Sequence, residues 1–464
     1  LNREVVITAL GTAGAHGCGR ASLERALAAG APPPATEVDR AAGYHQPEGA
    51  RRALITPVAA LAPWLPPAEA RRMGPPSRLA VAATRMALAE AGLDPARLAG
   101  PGTAVVVSTA FGPTSFSEAL LRQVLQDGPE SASPYLFTEC VANAPAAQIA
   151  IACGARGVNV TLCQREAGAL LAVARGAAEV AAGRAERALV GAVDEMSPLL
   201  HAMLDRFGAL ARGRSRPVRG ARRPDEGGEI GRPFDRRRDG VVAADGATVL
   251  LLETAAAAAR HGREPLARIR GWGSAFDPAA PPTGWGASGE QLGRALRRLL
   301  LRCGAAPGGA SPGGLGALDP PASVSGGPPG ASSPPGASGL LGASGLLGSI
   351  GAIDRIVSGA SGARAGDRLE ARVLRAAWGE AALPPVLAPK GVTGEYGGGF
   401  LAAAVLAAAG VAGVACAPTA GFGEPDPDLG VSPHDGRPLP PPRALLASSL
   451  AAGGAACWLI LGRP

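Results

Sequence analysis

At 464 residues with 47% hydrophobic content, the chain can bury a large core as one domain or two fused halves. It has no uninterrupted apolar run of about eighteen residues, the length a membrane-spanning helix requires. The net charge of +7 would suit a polyanion, but the arginines are dispersed along the sequence, aromatic residues make up only 3%, and no stacking platform is evident, which argues against nucleic acid.

Taken in order, Arg3 and Glu4 lead straight into Val5-Val6-Ile7-Thr8-Ala9-Leu10, a first strand with no leader visible before it. Residues 23–29 suit a short helix, and 31–65 are proline-rich and irregular. Residues 76–91 have helical periodicity with Ser77 as a cap candidate, and 103–108 read as a buried strand. The stretch Gly157-Val158-Asn159-Val160-Thr161-Leu162 is β-prone. It turns at Cys163-Gln164-Arg165 and opens an Ala/Leu-rich helix to about residue 182. A second apolar run, 188–193, follows and ends in Asp194-Glu195. Strand, turn, helix and strand predict a parallel βαβ unit with a site at its turn, where unpaired N–H groups and the helix dipole stabilise an anion.

An arginine-rich loop at 212–223 precedes Arg232-Pro233-Phe234-Asp235, then Asp239-Gly240-Val241-Val242 and Asp245-Gly246-Ala247, with a strand at 248–253. Further on, 266–275 reads as a strand and 289–302 as a helix. Residues 304–348 are low-complexity, with Gly-Ala-Ser-Gly-Leu-Leu at 336–341 and again at 342–347, and too poor in core formers for a domain. A strand at 353–357 leads to Gly366-Asp367 and Glu370, then to Lys390-Gly391-Val392-Thr393-Gly394-Glu395. The chain closes on a small-residue run, 447–456. Lys390 is the single lysine of the chain. The seven cysteines, an odd number without CxxC or Cys/His spacing, fit reduced thiols in a cytoplasm better than disulfides or a metal site.

These motifs resemble the β-ketoacyl synthases of the thiolase fold. The run from Arg232 to Ala247 is similar to that family's Arg-Pro-Phe/Trp-Asp, Asp-Gly-Phe-Val and Gly-Asp-Gly-Ala, with Val241 for the Phe and Ala244 for the first Gly. Residues 390–395 resemble Lys-x-x-Thr-Gly-His, and 133–150 a segment that meets the twofold-related subunit in the family. The resemblance covers nearly the whole chain apart from the 304–348 insertion. It implies an α/β fold of five αβαβα layers built from two pseudo-repeated halves, 1–260 and 261–464, the second carrying that insertion as a flexible segment. It places the family's nucleophilic cysteine on Glu166, its first catalytic histidine on Gly359 and its second on Glu395. Lys390 falls at the pocket lysine, and Leu450, Gly453 and Gly454 fall in the glycine-rich loop against the substrate.

Decarboxylating condensation needs a thiolate to carry the acyl chain, imidazoles to assist loss of CO2, and donors for the oxyanion. At the matched positions this chain has neither the thiolate nor an imidazole, so none of them is expected to act catalytically. Cys163 lies three residues early, at the strand end, pointing away from the helix. The helix N-terminus and Arg165 are expected to hold Glu166 ionised, while Glu395, facing the same pocket, would raise one of the two pKa values. Lys390 is expected to keep a structural ion pair with Glu370. Cysteine-less members of this kind, the chain-length-factor subunits, pair with a catalytic ketosynthase as a heterodimer. They often carry Gln at the nucleophile position, from which Glu166 departs.

The resemblance thus implies a partner subunit acting in polyketide or fatty-acid-type synthesis. It would need no cofactor or metal, since its substrates ride on the phosphopantetheine of an acyl carrier protein. The loop at 212–223 would be solvated surface or a docking patch for that acidic carrier, and neither nucleic acid nor membrane would be a partner. The competing expectation is an active acyltransferase or malonyl-carrier decarboxylase working through Glu166 and Glu395.

Overall fold

The computed structural model describes residues 3–213, 228–305 and 352–464. Most of the arginine-rich loop, and the insertion from residue 306, lie outside the described residues.

Apolar runs without polar alternation make strands that are covered on both faces. Val5–Gly14 (β1) buries all ten of its residues and Thr103–Ser108 (β2) all six. The other main strands are Asn159–Leu162 (β3), Arg187–Asp194 (β4), Gly246–Thr254 (β5), Ala267–Phe276 (β6), Arg355–Ser358 (β7), Val386–Leu387 (β8), Ala444–Leu450 (β9) and Ala455–Gly462 (β10). They form one continuous mixed sheet in the order β8-β7-β9-β10-β6-β1-β5-β4-β2-β3. That order contains one pattern twice, β3-β2-β4-β5-β1 and β8-β7-β9-β10-β6. In both, the first strand is antiparallel to the fifth and the fifth to the fourth, while the remaining junctions are parallel. Antiparallel pairing of 5–7 with 267–269 joins the two.

The main helices are Arg20–Ala29 (α1), Pro75–Glu90 (α2), Thr114–Asp127 (α3), Ala144–Cys153 (α4), Gly168–Ala181 (α5), Pro198–Arg206 (α6), Gly289–Arg302 (α7), Arg364–Trp378 (α8) and Gly397–Ala408 (α9). α2 and α4 cover the outer face of the first half and α7 and α8 that of the second, each over its own apolar cluster. Between the halves lie α5 and α9, in the largest cluster. These are the five αβαβα layers of the thiolase fold. α9 buries every residue it has and shows no polar face, because sheet strands or helices surround it on all sides.

Two local expectations are corrected. Ser77 is not a cap. α2 is entered from Gly74 with prolines in its first turn, and the Ser77 hydroxyl instead donates to Glu139 Oε2 at 2.6 Å inside the protein. The segment 31–65 is also not wholly irregular, since Thr36–Glu37 and Arg52–Ala53 pair antiparallel.

Candidate functional site

β3 ends at Leu162, and the chain reaches α5 through a tight 3-10 turn over Arg165–Ala167. Arg165 takes φ 42°, a left-handed conformation unusual for a side-chain-bearing residue, and so marks a strained corner. Cys163, at the strand end, is exposed and not a buried core thiol. Glu166 sits at the turn's centre. Its carbonyl accepts the Ser449 hydroxyl at 2.7 Å and its Oε2 accepts the Ala452 N–H at 3.2 Å, tying the turn to the β9–β10 hairpin.

Glu395 approaches from the other half. Its N–H donates to the Val242 carbonyl at 2.8 Å, placing it beside the 232–247 motif. Its carboxylate takes Lys390 Nζ, whose side chain is wholly buried and lies 5.8 Å from the Phe400 ring centroid. The expected pairing of Lys390 with Glu370 is therefore corrected. Gly394, at φ 73°, turns the chain so that Glu395 folds back onto the lysine. Glu370 keeps a Ser358 hydroxyl at 3.1 Å, and burial pushes its pKa up to about 7.

The rise expected in one of the two carboxylate pKa values falls on Glu166, with Arg165 opposing it only weakly. Burial first, and the neighbouring Glu395 carboxylate second, push the Glu166 pKa up to about 7, with Lys390 opposing. Arg165 instead leans over the Phe111 ring, its guanidinium carbon 6.0 Å from the centroid.

Gly359 is closely packed. A Cβ there would come within 3.0 Å of Ser449 Oγ and 3.1 Å of the Ser448 carbonyl, so β9 leaves a side chain little room. Leu450, Gly453 and Gly454 are not among the residues that line this cavity. Leu450 is packed in the core of the second half. Gly453 donates to the Gly284 carbonyl at 2.8 Å, and a Cβ on Gly454 would meet the Asp277 carbonyl at 2.4 Å. Their work is to shape the hairpin that presents Ala452 to Glu166.

Glu166 and Glu395 open onto a cavity of about 480 Å3, with Phe111, Phe207, Trp285 and Arg364 on its walls. Asp194 and Glu195 line it too, where β4 ends. The sequence analysis noted both only as a strand end, although the carboxyl ends of parallel strands are where α/β sites form. Both are tied down by the scaffold. Asp194 accepts the Ala110 N–H at 2.6 Å, and burial raises its pKa. Glu195 caps α3, accepting the Ser115 N–H at 2.6 Å and the Thr114 hydroxyl at 2.7 Å. Among the described residues no cysteine or histidine lines the cavity, and no group of carboxylates, histidines or cysteines has metal-ligating geometry. Among its lining residues the cavity presents carboxylates and no thiolate–imidazole pair.

Residues 2–258 match the family model described as β-ketoacyl synthase, N-terminal domain. The tetracenomycin polyketide synthase ketoacyl synthase beta subunit of Streptomyces glaucescens is 28% identical over 354 residues, 76% of this chain and 72% of that protein. The actinorhodin polyketide putative β-ketoacyl synthase 2 of Streptomyces coelicolor is 32% identical over 234 residues, 50% of this chain and 54% of that protein. A solved ishigamide ketosynthase/chain length factor structure superposes with a TM-score of 0.78 at 25% identity over the full length of both chains. With more than half of its length matched by the family model and its fold shared end to end, the chain belongs to the β-ketoacyl synthase family.

Proposed function

We propose that this chain is a chain-length-factor-type subunit, which pairs with a catalytic ketosynthase and helps enclose a growing acyl chain delivered by an acyl carrier protein in polyketide-type synthesis. The observation that carries this reading is the state of the reaction positions: Glu166 is bound to the β9–β10 hairpin, Glu395 is held by Lys390, and Gly359 is walled in by β9. None of the three supplies a thiolate or an imidazole. The tetracenomycin beta subunit and the ishigamide ketosynthase/chain length factor, both similar over most of the chain, support the same reading.

A surface for the partner ketosynthase subunit is available. β3 ends the sheet with one edge unpaired among the described residues. Ile151 on α4, which packs on this strand, is 73% exposed; elsewhere on the surface Leu125 and Phe137 are 83% and 61% exposed, and α3 buries none of its residues. An open strand edge and large exposed apolar side chains suit an interface with another subunit.

One observation favours a second reading, an acyltransferase or malonyl-carrier decarboxylase: Glu166 lines the cavity, and burial with the neighbouring Glu395 raises its pKa, as suits a general acid–base. The two readings separate when the purified chain is offered acyl- and malonyl-carrier thioesters and followed by intact-protein mass and CO2 release. The partner reading expects no adduct and no CO2. A covalent acyl adduct, or CO2 release abolished by Glu166→Ala, would make the chain an enzyme in its own right.

A further inference from the structure

Two helices gather arginines that the sequence scatters. α8 sorts its charges by face. Asp367 and Glu370, 1% and 2% exposed, turn inward, where Asp367 accepts the N–H groups of Phe234 and Ser361 at 2.7 and 3.0 Å. Arg364, Arg368 and Arg372, each one turn apart, are exposed, and Arg375 continues the row half-buried. α7 lies directly against this helix, because a Cβ on Gly289 or Gly293 would come within 2.7 Å of Arg372 Cβ or 2.4 Å of Ala376 Cβ. It adds Arg294, Arg297, Arg298 and Arg302, all exposed. The one exposed carboxylate on the two helices is Glu290, 3.8 Å from Arg294. Among the described residues, Arg297, Arg298, Arg302 and Arg372 form no ion pair, and Arg368 is near only the Asp426 carboxylate, which Arg238 already holds at 2.6 Å. Residues 306–351 contain a single charged residue, Asp319, too little to neutralise the face.

Crowded like charges raise the local potential and destabilise the isolated chain, and an anionic partner relieves that cost. Guanidinium forks match carboxylate geometry bidentately. The row also has a direction. Arg364 lines the cavity wall, and at 1.5 Å per residue the ridge from Arg364 to Arg375 extends about 16 Å away from it. We propose that the α7/α8 arginine face is the docking surface for an acidic carrier protein, which lies along the ridge and delivers its thioester-bearing arm to the cavity at Arg364. This rests on the carrier-dependent function proposed above. A nucleic acid is the less fitting occupant, since neither helix adds an exposed aromatic side chain for stacking.

The test titrates fluorescently labelled holo acyl carrier protein against the chain, alone and with its ketosynthase, while size-exclusion chromatography follows pairing. Arg368→Glu/Arg372→Glu and Arg298→Glu/Arg302→Glu are compared with Arg25→Glu/Arg260→Glu, which makes the same charge change on exposed positions elsewhere. Circular dichroism checks the fold of all three. The expected result is a Kd raised by about tenfold or more for both face variants, with a flattened salt dependence, and a change of about twofold or less for the control. Wild-type affinity in the face variants, or an equal loss in the control, overturns the assignment whether or not the chains pair. Duplex DNA bound more tightly than the carrier, and lost in the same variants, overturns it as well. A chain that binds the carrier through this face but pairs with no ketosynthase supports the face and sinks the partner reading.

Discussion

Glu370 carries a pH signature that can be tested apart from the Glu166–Glu395 pair. Its pKa rises from the ordinary 4.5 to about 7 because it is buried, so the native chain holds a proton that the unfolded chain releases. Between those two values the native state binds more protons, and stability therefore falls as pH rises through that window, by an amount on the order of 3 kcal/mol for this group alone. Glu370→Gln keeps an acceptor for the Ser358 hydroxyl and removes the ionisation. The variant-minus-wild-type difference in Tm should be near zero at pH 4.5 and positive at pH 8; a difference that does not grow with pH would contradict the assignment. The site's identities were largely legible at this scale. Glu166, Glu395 and Lys390 do converge, because the motifs that carry them keep their spacing. The pairing of Lys390 was not legible, because Glu370 and Glu395 are both plausible partners until the turn at Gly394 chooses between them.

At the scale of elements, legibility followed patterning. β2 and α7 appeared at the residues expected, one a buried run centred on three valines and the other a strongly two-faced helix. α9 went unread because Gly-Gly-Gly-Phe-Leu-Ala-Ala-Ala-Val-Leu-Ala-Ala has no polar face to set a period. Its glycines bring it close to its neighbours: a Cβ on Gly398 would come within 2.9 Å of Thr248 N. The exposed apolar side chains of α3 and α4 carry their own prediction. Leu125→Asp with Ile151→Asp should weaken ketosynthase pairing by about tenfold or more while leaving the Tm of the isolated chain within a few degrees, since neither side chain is buried. Unchanged pairing, measured by analytical ultracentrifugation, would move the interface elsewhere.

The whole molecule is held as one unit. Its largest cluster takes Val190 and Leu250 from the first half together with Phe400 and Leu459 from the second. α9 also packs on β4 and β5, strands of the half to which it does not belong. Neither half can bury its inner face alone, so heating should give a single calorimetric transition with a calorimetric to van't Hoff enthalpy ratio of about 1. Two resolved transitions would show that the halves are independent.

The wall beside Gly359 bears on ancestry and on engineering. Glu166→Cys and Glu395→His each change one side chain at a position where the backbone already carries one. At 359 a new Cβ would press on the Ser449 hydroxyl at 3.0 Å and the Ser448 carbonyl at 3.1 Å, so the first imidazole returns only if these neighbours give by a few tenths of an ångström. Both belong to a strand paired on its two sides, which leaves little room for the backbone part of that adjustment. Stepwise reversion to a condensing enzyme is therefore uneven: two of the three steps change a side chain in place, and the third must also be accommodated by β9.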